Sequence, residues 1–326
     1  MSRRHQLGRP DVDLSTRVGS VALANPVMTA SGTAGHGTEL QPYVELSSLG
    51  AVVVKSLSSE PWPGNPPPRL VATEAGMLNS VGLQNPGVDA WIEESLPALL
   101  ATGARVVASL WGLTVAGFEK AAAALAGAPA GMVAVEVNLS CPNLEGGRHM
   151  FAHSPAATAE AVSATAGCAR PRWAKLNPET PDITEVAAAA LGAGAEGLTL
   201  VNTLRGLAID PESRRPRLGA GGGGLSGAAL RPVAVRAVHE CRAAFPLAGI
   251  IGVGGVDRGL HAVELLLAGA DAVQVGTATF ADPRAPRRVL EELADWCVSH
   301  DVARVAELTG AGRPAPPEDG GIDGGS

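Results

Sequence analysis

Short apolar runs alternate along this chain with longer stretches in which apolar and polar residues mix. Eight runs, at 26–30, 51–55, 105–110, 132–138, 172–176, 197–201, 248–252 and 272–276, are apolar nearly throughout. Such runs predict strands buried on both faces, as a parallel sheet requires. Between them, 88–100, 117–125, 155–166, 184–191, 227–244, 260–267 and 286–300 read as helices. Strand–helix units in series predict an α/β fold, a single (β/α)8 TIM barrel over residues 1–310. An open doubly wound sheet is the alternative. Two insertions interrupt the rhythm: 58–89, rich in Pro and Gly, and 202–226, which carries charges and then GAGGGG. Both follow strand ends, so both are expected over the carboxyl mouth of the barrel. Residues 311–326 (AGRPAPPEDGGIDGGS) read as a disordered C-terminal tail.

Composition narrows the possibilities. A chain of 326 residues with 46% hydrophobic residues can bury a large core, which excludes a disordered or coiled-coil protein. A net charge of −7 and only 3% aromatics argue against a nucleic-acid surface, which needs a basic face and stacking platforms. The four cysteines, Cys141, Cys168, Cys241 and Cys297, form no CxxC, so neither an iron–sulfur cluster nor a structural zinc is expected within the chain. No signal peptide and no apolar run of membrane-spanning length are legible, so a soluble cytoplasmic protein is expected, with no metal and no membrane partner.

The chemistry-bearing residues are few and placed at strand ends. Lysine is scarce: of 25 Lys and Arg residues only Lys55, Lys120 and Lys175 are lysine. Lys55 and Lys175 end apolar runs, where a compact ammonium does what a guanidinium fork does not. Of eight asparagines, Asn25, Asn65, Asn85 and Asn177 precede proline and mark turns. Asn79, Asn138, Asn143 and Asn202 end strands or lie in the loops after them, and four amides at one mouth suit a planar ligand with alternating carbonyl and N–H edges. Cys141, in VEVNLSCPN, stands just past a strand end among Asn138, Ser140 and Asn143, where a thiol can act as nucleophile or base. Gly254 and Gly255, then Gly276 and Thr277, follow the last two strands, the place where barrels form a phosphate cradle. The literal GxGxxG matches at 192–197, 219–224 and 222–227 lack the order strand, turn, helix and give no dinucleotide site. His149 and His153 have no third ligand to make a metal site.

In this order, ANPVMTASGTAG, VVKS, GNPPPR, GMLNSVGLQNPG, VEVNLSCPN, GLTLVNTL, GGLSG, IIGVGGV and AVQVGTATF resemble class 1B dihydroorotate dehydrogenases from about residue 23 to 309. The resemblance implies a barrel with one FMN per chain that oxidises (S)-dihydroorotate to orotate in pyrimidine biosynthesis. By motif, Cys141 is implied as the base for the C5 proton, the C6 hydride passing to N5 of FMN, and Lys55 as touching flavin and substrate. The implied FMN positions are Ser31, Lys55, Ser56, Ser109, Asn138, Lys175, Val201, Gly227, Gly254, Gly255, Gly276 and Thr277. Lys175 is implied to face the N1–C2=O edge of the flavin. The implied substrate positions are Lys55, Asn79, Ser80, Val81, Gly82, Leu83, Asn138, Asn143, Asn202 and Thr203. The family's homodimer and its heterotetramer with a partner subunit carrying FAD and a [2Fe–2S] cluster, which passes electrons to NAD⁺, are implied too. The chain departs from the family pattern in Lys175-Leu-Asn177-Pro-Glu179, in Ser109 and Trp111 of ASLWG, and in the loop after Cys141. Those departures leave a second expectation, a flavin barrel acting on another dihydropyrimidine such as dihydrouracil. A third is a barrel that binds an anion without turnover.

Overall fold

The computed structural model describes residues 12–141 and 150–313. Eight parallel strands form its centre: β1 (Val27–Thr29), β2 (Val52–Val53), β3 (Val106–Leu110), β4 (Met132–Asn138), β5 (Arg172–Leu176), β6 (Gly197–Leu200), β7 (Gly249–Val253) and β8 (Ala272–Val275). They pair in the order β1-β8-β7-β6-β5-β4-β3-β2. The ladder closes between β1 and β2, where Met28 lies opposite Ala51 and the Gly50 N–H donates to the Val27 carbonyl at 2.8 Å. The eight apolar runs thus become the eight staves of a TIM barrel, and the open-sheet alternative falls.

Strand interiors are buried on both sides because helices ring the barrel outside and side chains fill it inside. The ring is α1 (Val88–Glu94), α2 (Leu96–Ala101), α3 (Val115–Ala124), α4 (Pro155–Ala164), α5 (Ile183–Gly192), α6 (Arg231–Ala244), α7 (Gly259–Ala268), the short α8 (Ala278–Ala281) and α9 (Ala285–Ser299). Local chemistry starts several of them. Thr114, Ser154 and Asp182 side chains accept the backbone N–H of Gly117, Ala157 and Thr184, satisfying donors that an N-terminal turn leaves open. The helix expected over 88–100 is two helices. Pro97 has no N–H to continue the ladder of α1, and the break falls at Ser95. Gly227, expected to begin a helix, lies outside α6 at φ 103°.

Below, the barrel is plugged. An antiparallel hairpin, Thr16–Val18 with Val21–Leu23, packs its Val18, Val21 and Leu23 against Met28, Val53, Val107, Ala134, Trp173 and Ile251. Gly197 must be glycine there, since a Cβ would stand 2.9 Å from the Trp173 indole and 3.0 Å from Val18. Above, the two insertions lie over the carboxyl mouth, as their positions predict. They are not plain loops, however. Leu70–Thr73, Gly76–Asn79, Gly223–Ser226 and Leu204–Gly206 form a four-stranded antiparallel sheet. The glycine run that mimics a dinucleotide fingerprint supplies part of this sheet. Among the described residues no helix is long and apolar enough to cross a membrane.

Candidate active site

Between barrel mouth and antiparallel sheet lies a cavity of about 690 Å³, within the usual range for cofactor and small-molecule sites. Its floor is made by residues at or just past strand ends: Ser31, Lys55, Ser56, Asn138, Lys175, Val201, Asn202, Gly254, Gly276 and Thr277. Its roof is Asn79, the loop Ser80–Leu83 and the sheet residues Met77 and Gly222, Gly223 and Gly224. Thus nearly every residue singled out in the sequence meets in one space, with three exceptions. Asn143 lies outside the described residues. Ser109 sits behind the wall, its Oγ 2.9 Å from that of Ser56, and supports the site without lining it. Cys141 is fully buried and does not line the cavity; its thiol donates to the carbonyls of Gly112 at 3.0 Å and Asn138 at 3.3 Å. Burial pushes that thiol up to about 12, because the thiolate is far worse solvated there than the thiol.

The amides are held in a chain. Asn202 Nδ2 donates to Asn138 Oδ1 at 3.1 Å, and Asn138 Nδ2 donates to Ser56 Oγ at 3.2 Å. The Ser140 N–H also donates to Asn138 Oδ1, and Ser56 touches Ser31 Oγ at 3.2 Å. Each amide thereby has a fixed orientation before any ligand arrives. On the roof, Asn79 Nδ2 donates to the Gly224 carbonyl at 3.2 Å, and Asn65 Nδ2 holds Ser80 Oγ at 2.9 Å.

The two lysines differ sharply. Lys55 has no acceptor for its ammonium among the described residues, and burial together with the Arg69 guanidinium lowers its proton affinity. Lys175 pairs with Glu136, whose Oε1 lies 3.4 Å from Nζ. Glu136 is wholly buried, and its Oε2 accepts from Gln274 Nε2 at 2.7 Å and Thr199 Oγ1 at 3.2 Å.

The backbone N–H groups of Gly254, Gly255, Gly276 and Thr277 find no acceptor among the described residues. Gly255 keeps φ at +70°, and a Cβ there would lie 2.6 Å from that of Arg231. Four free donors beside one cavity are what a phosphate requires. Two more buried donors are unpartnered on the cavity wall, the Ser140 hydroxyl and the Trp111 indole N–H. Buried donors without partners are rare unless a ligand meets them. A flat, phosphorylated cofactor with carbonyl and N–H edges fits this set of donors and cations. Among the described residues no group of three or more His, Cys, Asp or Glu side chains could hold a metal ion. His149 lies outside them, and His153 is in a short 3-10 turn, Phe151–His153.

Sequence reasoning missed several residues. Glu136 is hidden inside the run MVAVEVN. The signal was its spacing of two from Asn138, which puts both on the inward face of β4. Asn65 and Asn177, read as turn markers, also line the cavity, as do Met150 and Arg205.

A family model described as Dihydroorotate dehydrogenase matches residues 13–296. A protein of Geobacter sp. (strain M21) named dihydroorotate dehydrogenase B (NAD(+)), catalytic subunit, is 45% identical over 300 residues, 92% of this chain and 98% of the relative. A protein of Desulforudis audaxviator with the same name is 46% identical over 301 residues, 92% of this chain and 97% of the relative. A protein of Solibacter usitatus, named provisionally as dihydroorotate dehydrogenase A (fumarate), is 46% identical over 298 residues, 91% of this chain and 97% of the relative. Among solved structures, that of DHODH from Eimeria tenella in complex with ferulenol superposes with a TM-score of 0.74 over 95% of this chain and 92% of that one. At 22% identity it speaks to the fold alone.

Proposed function

The chain belongs to the dihydroorotate dehydrogenase family, and on that premise we propose that it oxidises dihydroorotate to orotate with one FMN in the cavity described above. Class 1B relatives carry the catalytic-subunit name, which favours a partner subunit as electron outlet. The observation that carries the reading is the convergence of Lys55, Lys175, the Asn138–Asn202 amides and the four free N–H groups of 254, 255, 276 and 277 on one cavity. FMN, when bound, supplies the hydride acceptor. Gly254, Gly255, Gly276 and Thr277 would hold its phosphate, while Ser31, Ser56, Asn138 and Lys175 would meet the ring edge.

The chain's own residues divide the rest of the work. Lys55, an unpaired cation, would take the negative end of the substrate. Asn138 and Asn202, pre-oriented by the hydrogen bond between them, and Asn79, held by the Gly224 carbonyl, would present donors and acceptors to its planar ring. The loop Ser80–Leu83 with the antiparallel sheet closes over both and excludes water. Cys141 would remove the C5 proton. For that its thiol must leave the Gly112 and Asn138 carbonyls and turn to the cavity. A thiol held at about 12 loses its proton poorly at neutral pH, so flavin reduction by dihydroorotate should accelerate as pH rises, and Cys141→Ala should abolish that slope.

The second half-reaction would pass electrons to NAD⁺ through a partner with FAD and a [2Fe–2S] cluster. The fumarate-type name of the Solibacter relative supports a second outlet, fumarate taken directly. Assaying the purified chain, loaded with FMN, against fumarate and against NAD⁺ separates them. Inertness toward both, with NAD⁺ reduction restored by a co-purified flavin and iron–sulfur subunit, is expected. Fumarate reduction by the single chain overturns the partner reading. Flavin reduction by dihydrouracil in preference to dihydroorotate overturns the substrate.

A further inference from the structure

Among the described residues only three charged side chains are buried: Glu136, Lys175 and Arg242. Arg242 has an obvious structural task, since its guanidinium ties the Gly269, Pro246 and Ala248 carbonyls and Asp271 together beside the barrel. The Glu136–Lys175 pair lies inside the barrel, immediately above the apolar plug, and one of its members lines the cavity while the other does not. Burying an ion pair to hold a barrel together is a poor device, because apolar side chains of the same size do it as well or better. The pair is nonetheless built with care. Strands β4, β5, β6 and β8 each send one side chain to it, and Glu136 collects three donors from Lys175, Thr199 and Gln274. The Gln274 amide is oriented by this contact, since only its nitrogen end can face a carboxylate.

We propose that Glu136 is a positioning residue for the redox site: from behind the cavity floor it fixes the Lys175 ammonium in that floor and offsets part of its positive field, thereby setting the reduction potential of the bound flavin. The proposal rests on the flavin reading above. A flavin gains negative charge on reduction, so a cation near it would favour the reduced state and a carboxylate behind that cation would oppose it. Without its counter-charge, Lys175 would favour reduced flavin more strongly. With both charges removed, the two effects would largely cancel.

The test is the two-electron midpoint potential of the bound FMN in the wild-type holoprotein, in Glu136→Gln, in Lys175→Met and in the double variant. Glu136→Gln is expected to shift the flavin reduction equilibrium at least tenfold toward the reduced form, a rise of about 30 mV for a two-electron couple. Lys175→Met is expected to shift it the other way. The double variant is expected to return within threefold of wild type. Should Glu136→Gln fail to fold, the fall in Lys175→Met and its reversal in the double variant carry the test, because a neutral pair of similar volume is tolerated in a core. A purely structural role predicts no opposed signs and no restoration. Shifts of one sign, or none, in protein that retains FMN overturn this inference and leave the proposed function standing. Wild-type protein that takes up no FMN overturns both.

Discussion

The two ends of the barrel interior have opposite chemistry. Toward the amino ends of the strands, Met28, Val53, Val107, Ala134, Trp173 and Ile251 make an apolar core stoppered by the 16–23 hairpin. Toward the carboxyl ends the interior turns polar: Ser109, Ser56 and Asn138 form one hydrogen-bonded chain and Lys175, Glu136 and Thr199 another, and Ser56, Asn138 and Lys175 reach the cavity. A barrel strand alternates its side chains inward and outward, so one step of two residues, from Trp173 to Lys175, or two such steps, from Ala134 through Glu136 to Asn138, carry the interior from core to site. Stability and chemistry are thus segregated along one axis. Changes below should cost folding energy and spare the chemistry, and changes above should do the reverse.

That contrast is broken most directly by Cys141→Ala. Loss of a positioned base costs about 10²–10⁴-fold in rate, so rapid mixing with dihydroorotate should show flavin reduction slowed by that factor in a folded, yellow protein. Wild-type speed removes the residue from the mechanism. Next, Trp173→Ala empties the largest side chain of the lower core and should cost about 3–5 kcal/mol of unfolding free energy, read by denaturant titration, while the rate per bound flavin stays near wild type. A change at the boundary of the cradle sharpens the picture. Gly255→Ala forces a side chain into left-handed backbone and against Arg231, so it should lose about 1–3 kcal/mol of stability and also release FMN more readily, measured by flavin retention on gel filtration. At the small end, Arg236→Ala opens an exposed pair with Glu240 on α6 and should change stability by less than about 1 kcal/mol and the rate not at all.

Cys141 also links the two ends through pH. Its thiol ordinarily titrates at 9.0, and the folded protein holds it at about 12. Above pH 9 the unfolded chain therefore gives up a proton that the folded chain keeps. The stability tied to this residue is intact below that pH and drains away as pH climbs toward 12. Cys141→Ala should flatten this part of the stability profile.

The barrel was legible because its strands are apolar on both faces and short, and nothing else in the chain looks like them. The mouth sheet was not, since GMLN and GGLS lack the β-branched alternation that marks a strand and are held by pairing across 145 residues of sequence, as between Asn79 and Gly224. In the site, residues at strand ends announced themselves: Lys55, Asn138, Lys175 and Asn202 all reach the cavity. Glu136 did not, because a single charge in an apolar run gives no sign of the three donors that wait for it on other strands. The direction of the Cys141 thiol was equally hidden. It depends on the Gly112 carbonyl, brought in from the loop after β3.

On the proposed function, the polar end of this barrel couples a flavin to a dihydropyrimidine carboxylate. Anaerobic titration of the FMN-loaded protein with dihydroorotate tests it without any partner. The visible flavin band should bleach completely at about one equivalent per chain, and dihydrouracil should leave it intact. A band unchanged by excess dihydroorotate would refute that coupling.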